Sequence, residues 1–300
     1  MSVMRIAVTG STGFVGTPLV RSLRADGHEL VRLVRREPKA ADEARWDPVG
    51  GTVDTDALLG VDAVVHLAGA GIGDHRWTAA YKRTLRDSRV LGTRTLARAL
   101  AGLERPPAVL LSGSAIGYYG DTGDRAVDES APPGSGFLAD LCVEWEAATA
   151  PVEDAGVRVV HLRTGLVVAG KGGAWGPLFR AFRFGVGGRL GNGRQYWSFI
   201  SLRDHINAIR FLLTADGVRG AANLTAPNPV TNAEATRELA RMLRRPALFP
   251  VPRPALRAIV GEFSDDILSS QRVLPKALLD AGFEFAHPTI DRALAVARHG

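Results

Sequence analysis

Thr9-Gly10-Ser11-Thr12-Gly13-Phe14-Val15-Gly16 is the stretch on which the fold of this chain turns. It follows a short apolar run, Arg5 to Thr9, and opens a segment of helical periodicity from Phe14 to Ala25. The spacing is G-x-x-G-x-x-G. Gly10 permits the tight turn, Gly13 lets the backbone approach a pyrophosphate, and Gly16 lets the helix pack close to the strand. The free amides at the helix start attract negative charge. Glycines also serve ordinary turns, but between a strand and a helix this triplet predicts a dinucleotide site. Its candidate contacts are Gly10, Thr12, Gly13, Phe14, Val15 and Gly16.

Outward from this motif, short β-branched runs alternate with helical stretches. Strands are predicted at Glu29 to Val34, Ala63 to Leu67, Ala108 to Ser112 and Val157 to Leu162, and helices at Trp77 to Leu100 and Ser135 to Glu153. That alternation predicts an α/β protein with a Rossmann-type doubly wound parallel sheet. From Gly165 the texture changes. Gly170 to Gly193 holds nine glycines in 24 residues, which predicts loops and close backbone approaches in place of long regular elements. Thr231 and Glu234 form a capping box for a helix running to about Leu243, and Pro246 to Pro254 then punctuates the chain. A soft boundary near Arg245 gives a dinucleotide-binding domain over residues 1–245, with substrate-lobe insertions from about residue 166. A small helical domain over 246–300 completes a smaller C-terminal α/β lobe. No flexible polar linker separates the parts, so they are expected to share an interface.

The end of the second strand selects the cofactor. Proteins that prefer NAD place a carboxylate there for the ribose hydroxyls, whereas this chain reads Leu33-Val34-Arg35-Arg36. Val34 cannot accept those hydrogen bonds, and the guanidinium groups of Arg35 and Arg36 suit a 2′-phosphate. NADP(H) is the expected cofactor.

Composition narrows the remaining classes. The chain is 46% hydrophobic and 23% charged, as in ordinary globular proteins. Met1 to Ile6 enters a strand with no basic segment before a long apolar stretch. No window reaches the roughly 20 apolar residues of a membrane span, so a cytoplasmic protein without a membrane partner is expected. Cys142 is the single cysteine, and the seven histidines show no metal-binding pairing, so no metal is expected. The net charge of +6 comes from 37 basic and 31 acidic residues scattered along the chain. The densest stretch, Lys82, Arg83, Arg86, Arg89, Arg94 and Arg98, lies on one predicted helix. With no aromatics interleaved, it reads as a solvated or phosphate-facing surface and not as a nucleic-acid reader.

Several further motifs carry a resemblance. The glycine motif, Asp62-Ala63-Val64-Val65-His66-Leu67-Ala68-Gly69 and Leu111-Ser112-Gly113-Ser114-Ala115 resemble extended short-chain dehydrogenase/reductases, the superfamily of the nucleotide-sugar epimerases. Gly117-Tyr118-Tyr119-Gly120, Trp145-Glu146, Arg163-Thr164-Gly165 and Gly191-Asn192-Gly193-Arg194-Gln195 are similar to its atypical branch of epimerase-family, cell-division-inhibitor-like proteins. Arg272-Val273-Leu274-Pro275 through Ala281-Gly282-Phe283 to Pro288 is similar to the small domain of unknown function that closes those chains. The resemblance spans nearly the whole chain. It implies cofactor contacts at Leu67, Ala68, Gly69 and Arg163, and a stretch from Gln195 to Asp204 that leads to a substrate-facing aspartate.

One departure is decisive. Ordinary members carry Y-x-x-x-K after the fifth strand, where the lysine favours tyrosinate and helps bind the ribose. Residues four after each tyrosine here are Leu85, Thr122, Gly123 and Ile200, and alignment on Glu146 puts Leu138 and Cys142 at the two positions. Arg89 stands where extended members usually carry asparagine. What remains for catalysis is Ser114, with Tyr118 and Tyr119 a few residues later, Tyr118 being equally readable as a packed aromatic; Cys142 and His66 read as core. Gln195 and Trp197 are candidate substrate contacts beside the glycine-rich segment, or simple loop caps. The sequence therefore supports an NADP(H)-dependent oxidoreductase or epimerase-like enzyme on a small carbonyl or hydroxyl compound. The alternative is a non-catalytic protein whose NADP(H) occupancy regulates a partner, with a link to cell division.

Overall fold

Ile6, Ala7 and Val8 have no exposed surface, because the strand they form runs through the middle of a sheet covered on both faces. The structure, a computed structural model, describes residues 3–247 and 249–298. Its main sheet contains β1 (Arg5–Thr9), β2 (Glu29–Val34), β3 (Glu43–Asp47), β4 (Thr52–Val53), β5 (Ala63–His66), β6 (Val109–Ala115), β7 (Arg158–Thr164) and β8 (Gly220–Leu224). The order is β8-β7-β6-β5-β1-β2-β3-β4, parallel throughout except for the β3–β4 edge pair. The order reverses at β1, which is where such sheets open a ligand crevice.

Alternation along the strands divides the core. Ile6, Val8 and Val65 pack with Leu19 and Leu23 of α1 (Gly16–Ala25) and, farther along, with residues 209 and 212 of the helix Leu202–Thr214. Ala7 and Val64 face the opposite side, against Leu96 and Leu100 of α2 (Ala79–Ala101). A third cluster joins Val168, Trp175, Phe179 and Trp197 to Leu239, Ile290 and Leu294. The C-terminal residues are thereby packed into the body of the protein. No helix among the described residues is long and apolar enough to cross a membrane.

Two predicted elements differ. The segment expected as one helix from Ser135 to Glu153 is broken into α3 (Phe137–Ala147) and α4 (Ala150–Asp154), with Pro151 in the first turn of the second, where its missing N–H is harmless. The glycine-rich stretch holds a nine-residue helix, α5 (Trp175–Arg183). Trp175, Phe179 and Phe182 recur at helical spacing and are buried together, so their apolar stripe outweighs the flanking glycines.

Candidate functional site

The turn after β1 has no room for side chains at its outer glycines. Gly10 has φ +67°, and a Cβ there would lie 2.8 Å from the Leu67 carbonyl oxygen. A Cβ on Gly16 would lie 2.1 Å from the Gly10 oxygen, so only glycine lets α1 start this close to the strand. Gly13 and Thr12 are exposed, and the amides at the start of α1 have no side-chain cap. Phe14 and Val15 are half-buried. Gly172 and Gly173 press on the Phe14 ring, where added Cβ atoms would lie 2.8 and 3.0 Å from ring carbons. That contact between the motif and the glycine-rich loop gives no signal in the sequence.

Beside the turn, Thr9 organises the loop after β5. Its Oγ1 accepts hydrogen bonds from the amides of Leu67 (3.1 Å) and Ala68 (3.2 Å) and lies 2.7 Å from His66 Nδ1. With both amides accepted, the Thr9 proton goes to Nδ1. The ring proton then sits on Nε2, facing Thr93 Oγ1 at 3.0 Å, which also accepts from Trp145 Nε1 at 2.9 Å. His66 is wholly buried, and desolvation lowers its pKa to about 4. It is a neutral strut that fixes Leu67, Ala68 and the exposed Gly69, in keeping with a core role.

At the end of β2, the two arginines are not equivalent. Arg36 grips Glu43 through both carboxylate oxygens (2.6 and 2.8 Å), holding that carboxyl down to about 2. Arg35 is exposed, and among the described residues it makes no ion pair. A 2′-phosphate would meet Arg35 as a free cation, and Arg36 only in competition with Glu43.

Parallel pairing sets Ser114, Arg163 and Asn223 side by side at the ends of β6, β7 and β8. Glu146 of α3 reaches over this row. Arg163 donates to its two oxygens at 2.8 Å each, and Ser114 Oγ donates to Oε1 at 2.6 Å. Arg163 also donates to the Tyr119 hydroxyl (2.9 Å), which donates to Asn223 Oδ1 (2.8 Å). Burial pushes the Tyr119 hydroxyl up to about 12, so it stays protonated. Tyr118 lies face-on to the Arg163 guanidinium, 3.4 Å from ring centroid to Cζ. Ser114 and Tyr118 thus belong to one network with Arg163, whose guanidinium is committed to Glu146, Tyr119 and the Tyr118 ring. Glu146 and Asn223 were not singled out as functional from the sequence, whereas Tyr119 was, beside Tyr118. The Ser114–Arg163–Asn223 register becomes visible only once the strands are paired.

Other expected site residues have structural tasks. Gln195 is buried and its amide donates to the Leu190 carbonyl (3.1 Å), while Trp197 packs edge-on against Trp175 in the third cluster. The aspartate expected to face substrate, Asp204, is wholly buried and accepts from the amides of Ala286 (3.0 Å) and His287 (2.8 Å). It anchors the C-terminal segment instead. Cys142 is buried, and desolvation pushes its thiol up to about 12, so it is an unreactive core residue. Among the described residues no cluster of metal-ligating side chains occurs.

A doubly wound sheet with a glycine turn at its crevice defines a dinucleotide-binding protein of the short-chain dehydrogenase/reductase type. More narrowly, the chain belongs to the NAD dependent epimerase/dehydratase family, whose profile matches residues 6–224, and residues 251–297 match a domain of unknown function, DUF1731. It is similar to an epimerase family protein of Mycobacterium leprae, with 46% identity over 293 residues, 97% of this chain and 95% of the relative. The crystal structure of human epimerase family protein SDR39U1 (isoform 2) with NADPH matches with TM-score 0.90 and 32% identity, covering 99% of this chain and 100% of that one. A nucleoside-diphosphate sugar epimerase from Corynebacterium glutamicum matches with TM-score 0.82 and 36% identity, covering 98% of this chain and 58% of that one.

Proposed function

We propose that this chain binds NADP(H) and acts as an oxidoreductase or epimerase-like enzyme on a small carbonyl or hydroxyl compound, without a tyrosine–lysine pair. The observation that carries the reading is the glycine cradle opening beside Arg35, the cation at the end of β2 that no acidic side chain among the described residues neutralises. A cradle that admits no Cβ at Gly10 or Gly16 fits a pyrophosphate, and an unpaired guanidinium fits a 2′-phosphate. The human relative crystallised with NADPH supports the same cofactor. Bound NADP(H) would supply or accept hydride, and the protein would orient and polarise the reacting oxygen. Ser114 directs its proton at Glu146, so its oxygen is poised to accept a hydrogen bond from a substrate hydroxyl. Tyr118, on the face of Arg163, is the second candidate for substrate contact.

A second reading, an NADP(H)-sensing regulator, is favoured by one feature: the polar groups at the ends of β6 and β7 are already paired with one another. Calorimetric titration with NADPH and NADH, followed by NADPH oxidation on a panel of aldehydes, ketones and keto sugars, separates the readings. Tighter NADPH binding with turnover is expected. Tight binding with no turnover across the panel supports the regulator, and equal affinity for the two cofactors overturns the NADP(H) assignment.

A further inference from the structure

Arg89 projects from α2 into the space between the end of β5 and α3. Its Cζ lies 3.4 Å from the place a Cβ on Gly69 would take and 5.1 Å from the centroid of the Trp145 ring. Nη1 donates to the Leu85 carbonyl of its own helix at 3.2 Å, and no other hydrogen bond or ion pair holds the guanidinium among the described residues. The titratable side chains that face it are Cys142 and Tyr81, and burial keeps the proton on both. Burial also pulls Arg89 below the usual arginine range. Arg86, one turn earlier, is paired with Glu144, and Arg163 is paired with Glu146. Arg89 is therefore a half-buried cation without a counterion among the described residues, an arrangement that costs free energy unless a ligand brings oxygens to it.

The order of the strands identifies those oxygens. A dinucleotide whose phosphate end meets Arg35 at β2 and whose pyrophosphate crosses the glycine turn at β1 has its second nucleoside over β5 and β6. Gly69 follows β5, and Cys142 donates weakly to the carbonyl of Ala115 at the end of β6 (3.6 Å). Arg89 lies between them. We infer that Arg89 binds the ribose hydroxyls of the nicotinamide-side nucleoside, supplying from α2 the positive charge that α3, with Leu138 and Cys142, does not provide. This assignment rests on the NADP(H) reading above.

The test titrates the full chain with NADPH and with adenosine 2′,5′-bisphosphate, which carries the phosphate end of the cofactor but no nicotinamide nucleoside. Wild type, Arg89→Gln, Arg89→Lys and Arg89→Gln/Cys142→Lys are compared. Loss of a charge-assisted contact predicts on the order of tenfold weaker NADPH binding in Arg89→Gln. Bisphosphate affinity and the thermal midpoint without ligand should be unchanged or improved. A lysine at 142, or at 89, should return part of the NADPH affinity. Unchanged NADPH affinity in Arg89→Gln overturns the assignment, as does a parallel loss for both ligands, which would mark a merely structural residue. If the double variant does not fold, Arg89→Lys carries the rescue. Wild-type protein that binds neither ligand rejects the proposed function itself, whereas normal wild-type binding with an indifferent Arg89→Gln rejects this inference alone.

Discussion

Replacing Glu146 by alanine should destabilise the protein by about 3 to 5 kcal/mol, the usual cost of removing one partner from a buried ion pair. Arg163 is 4% exposed, so its guanidinium cannot turn to water when the carboxylate is gone. It would keep one hydrogen bond to Tyr119 and its seat on the Tyr118 ring while losing two at 2.8 Å. Ser114 would lose its acceptor as well. These retained contacts place the expected loss near the lower end, about 3 kcal/mol. Glu146→Gln keeps one acceptor oxygen and should cost roughly 2 kcal/mol, in the range for hydrogen bonds to charged groups. Urea denaturation followed by far-UV circular dichroism measures both, and a domain stable by about 5 to 15 kcal/mol survives either change. The discriminating variant is Glu146→Leu/Arg163→Met, which removes both charges and should recover much of the loss. A cost below about 1 kcal/mol for Glu146→Ala, or a double variant less stable than either single one, would show that the pair is not the buried, coupled unit described here.

Other perturbations test separate parts of the structure. Arg35→Ala should weaken NADPH binding on the order of tenfold, and Arg36→Ala should do less because Glu43 already holds Arg36; calorimetry ranks them, and the reverse order would contradict the ion-pair geometry. Gly16→Ala must push α1 away from Gly10, since its Cβ would lie 2.1 Å from that carbonyl oxygen, so NADPH affinity and thermal midpoint should both fall. Asp204→Ala frees the amides of Ala286 and His287 and should speed proteolytic cleavage near them, which an unchanged digestion pattern would contradict. His66 and His205 both have folded-state pKa values lowered to about 4 by desolvation, whereas the unfolded chain takes up these protons near 6.5. Each contributes stability that is present above about pH 6.5 and lost as pH falls toward 4, up to roughly 3 kcal/mol apiece. Asp266, raised to about 6, acts with the opposite sign between about 6 and 4, so denaturation midpoints from pH 7 to 4.5 should fall by the difference.

Much of the fold was legible because its strands carry their own signature. Arg5–Thr9 and Glu29–Val34 have the bounds expected from β-branched runs between turn residues, and the capping box at Thr231 and Glu234 is formed as read. The misses share a physical cause. Glu43–Asp47 alternates buried Ala44 and Trp46 with charged residues, and Gly220–Leu224 is largely small residues. Neither is apolar enough to declare itself until a neighbouring strand supplies the partners. In α5 the reverse happened: glycines on both sides obscured a three-aromatic stripe whose burial decides the local structure.

The site was legible only as far as a residue's task depends on its chain neighbours. Gly10 and Gly16 answer to a turn and a helix within seven residues of each other, so spacing alone identified them. Arg163, Ser114 and Asp204 were placed near the site by the resemblance of the motifs that hold them, but a motif does not say what a charge will meet. Glu146 lies 17 residues from Arg163 and the amides of Ala286 and His287 lie more than 80 residues from Asp204. The same limit hides Arg89. In the sequence it is one of six basic residues on a helix, and what sets it apart from Arg86 is the fold, which half-buries it and sets a carboxylate beside Arg86 but none beside Arg89. An unpaired charge is a property of the assembled structure, because it is defined by partners that pairing and packing have placed elsewhere. The residues that most directly suggest ligand chemistry in this protein, Arg35 and Arg89, are therefore recognised by what the fold leaves unneutralised around them.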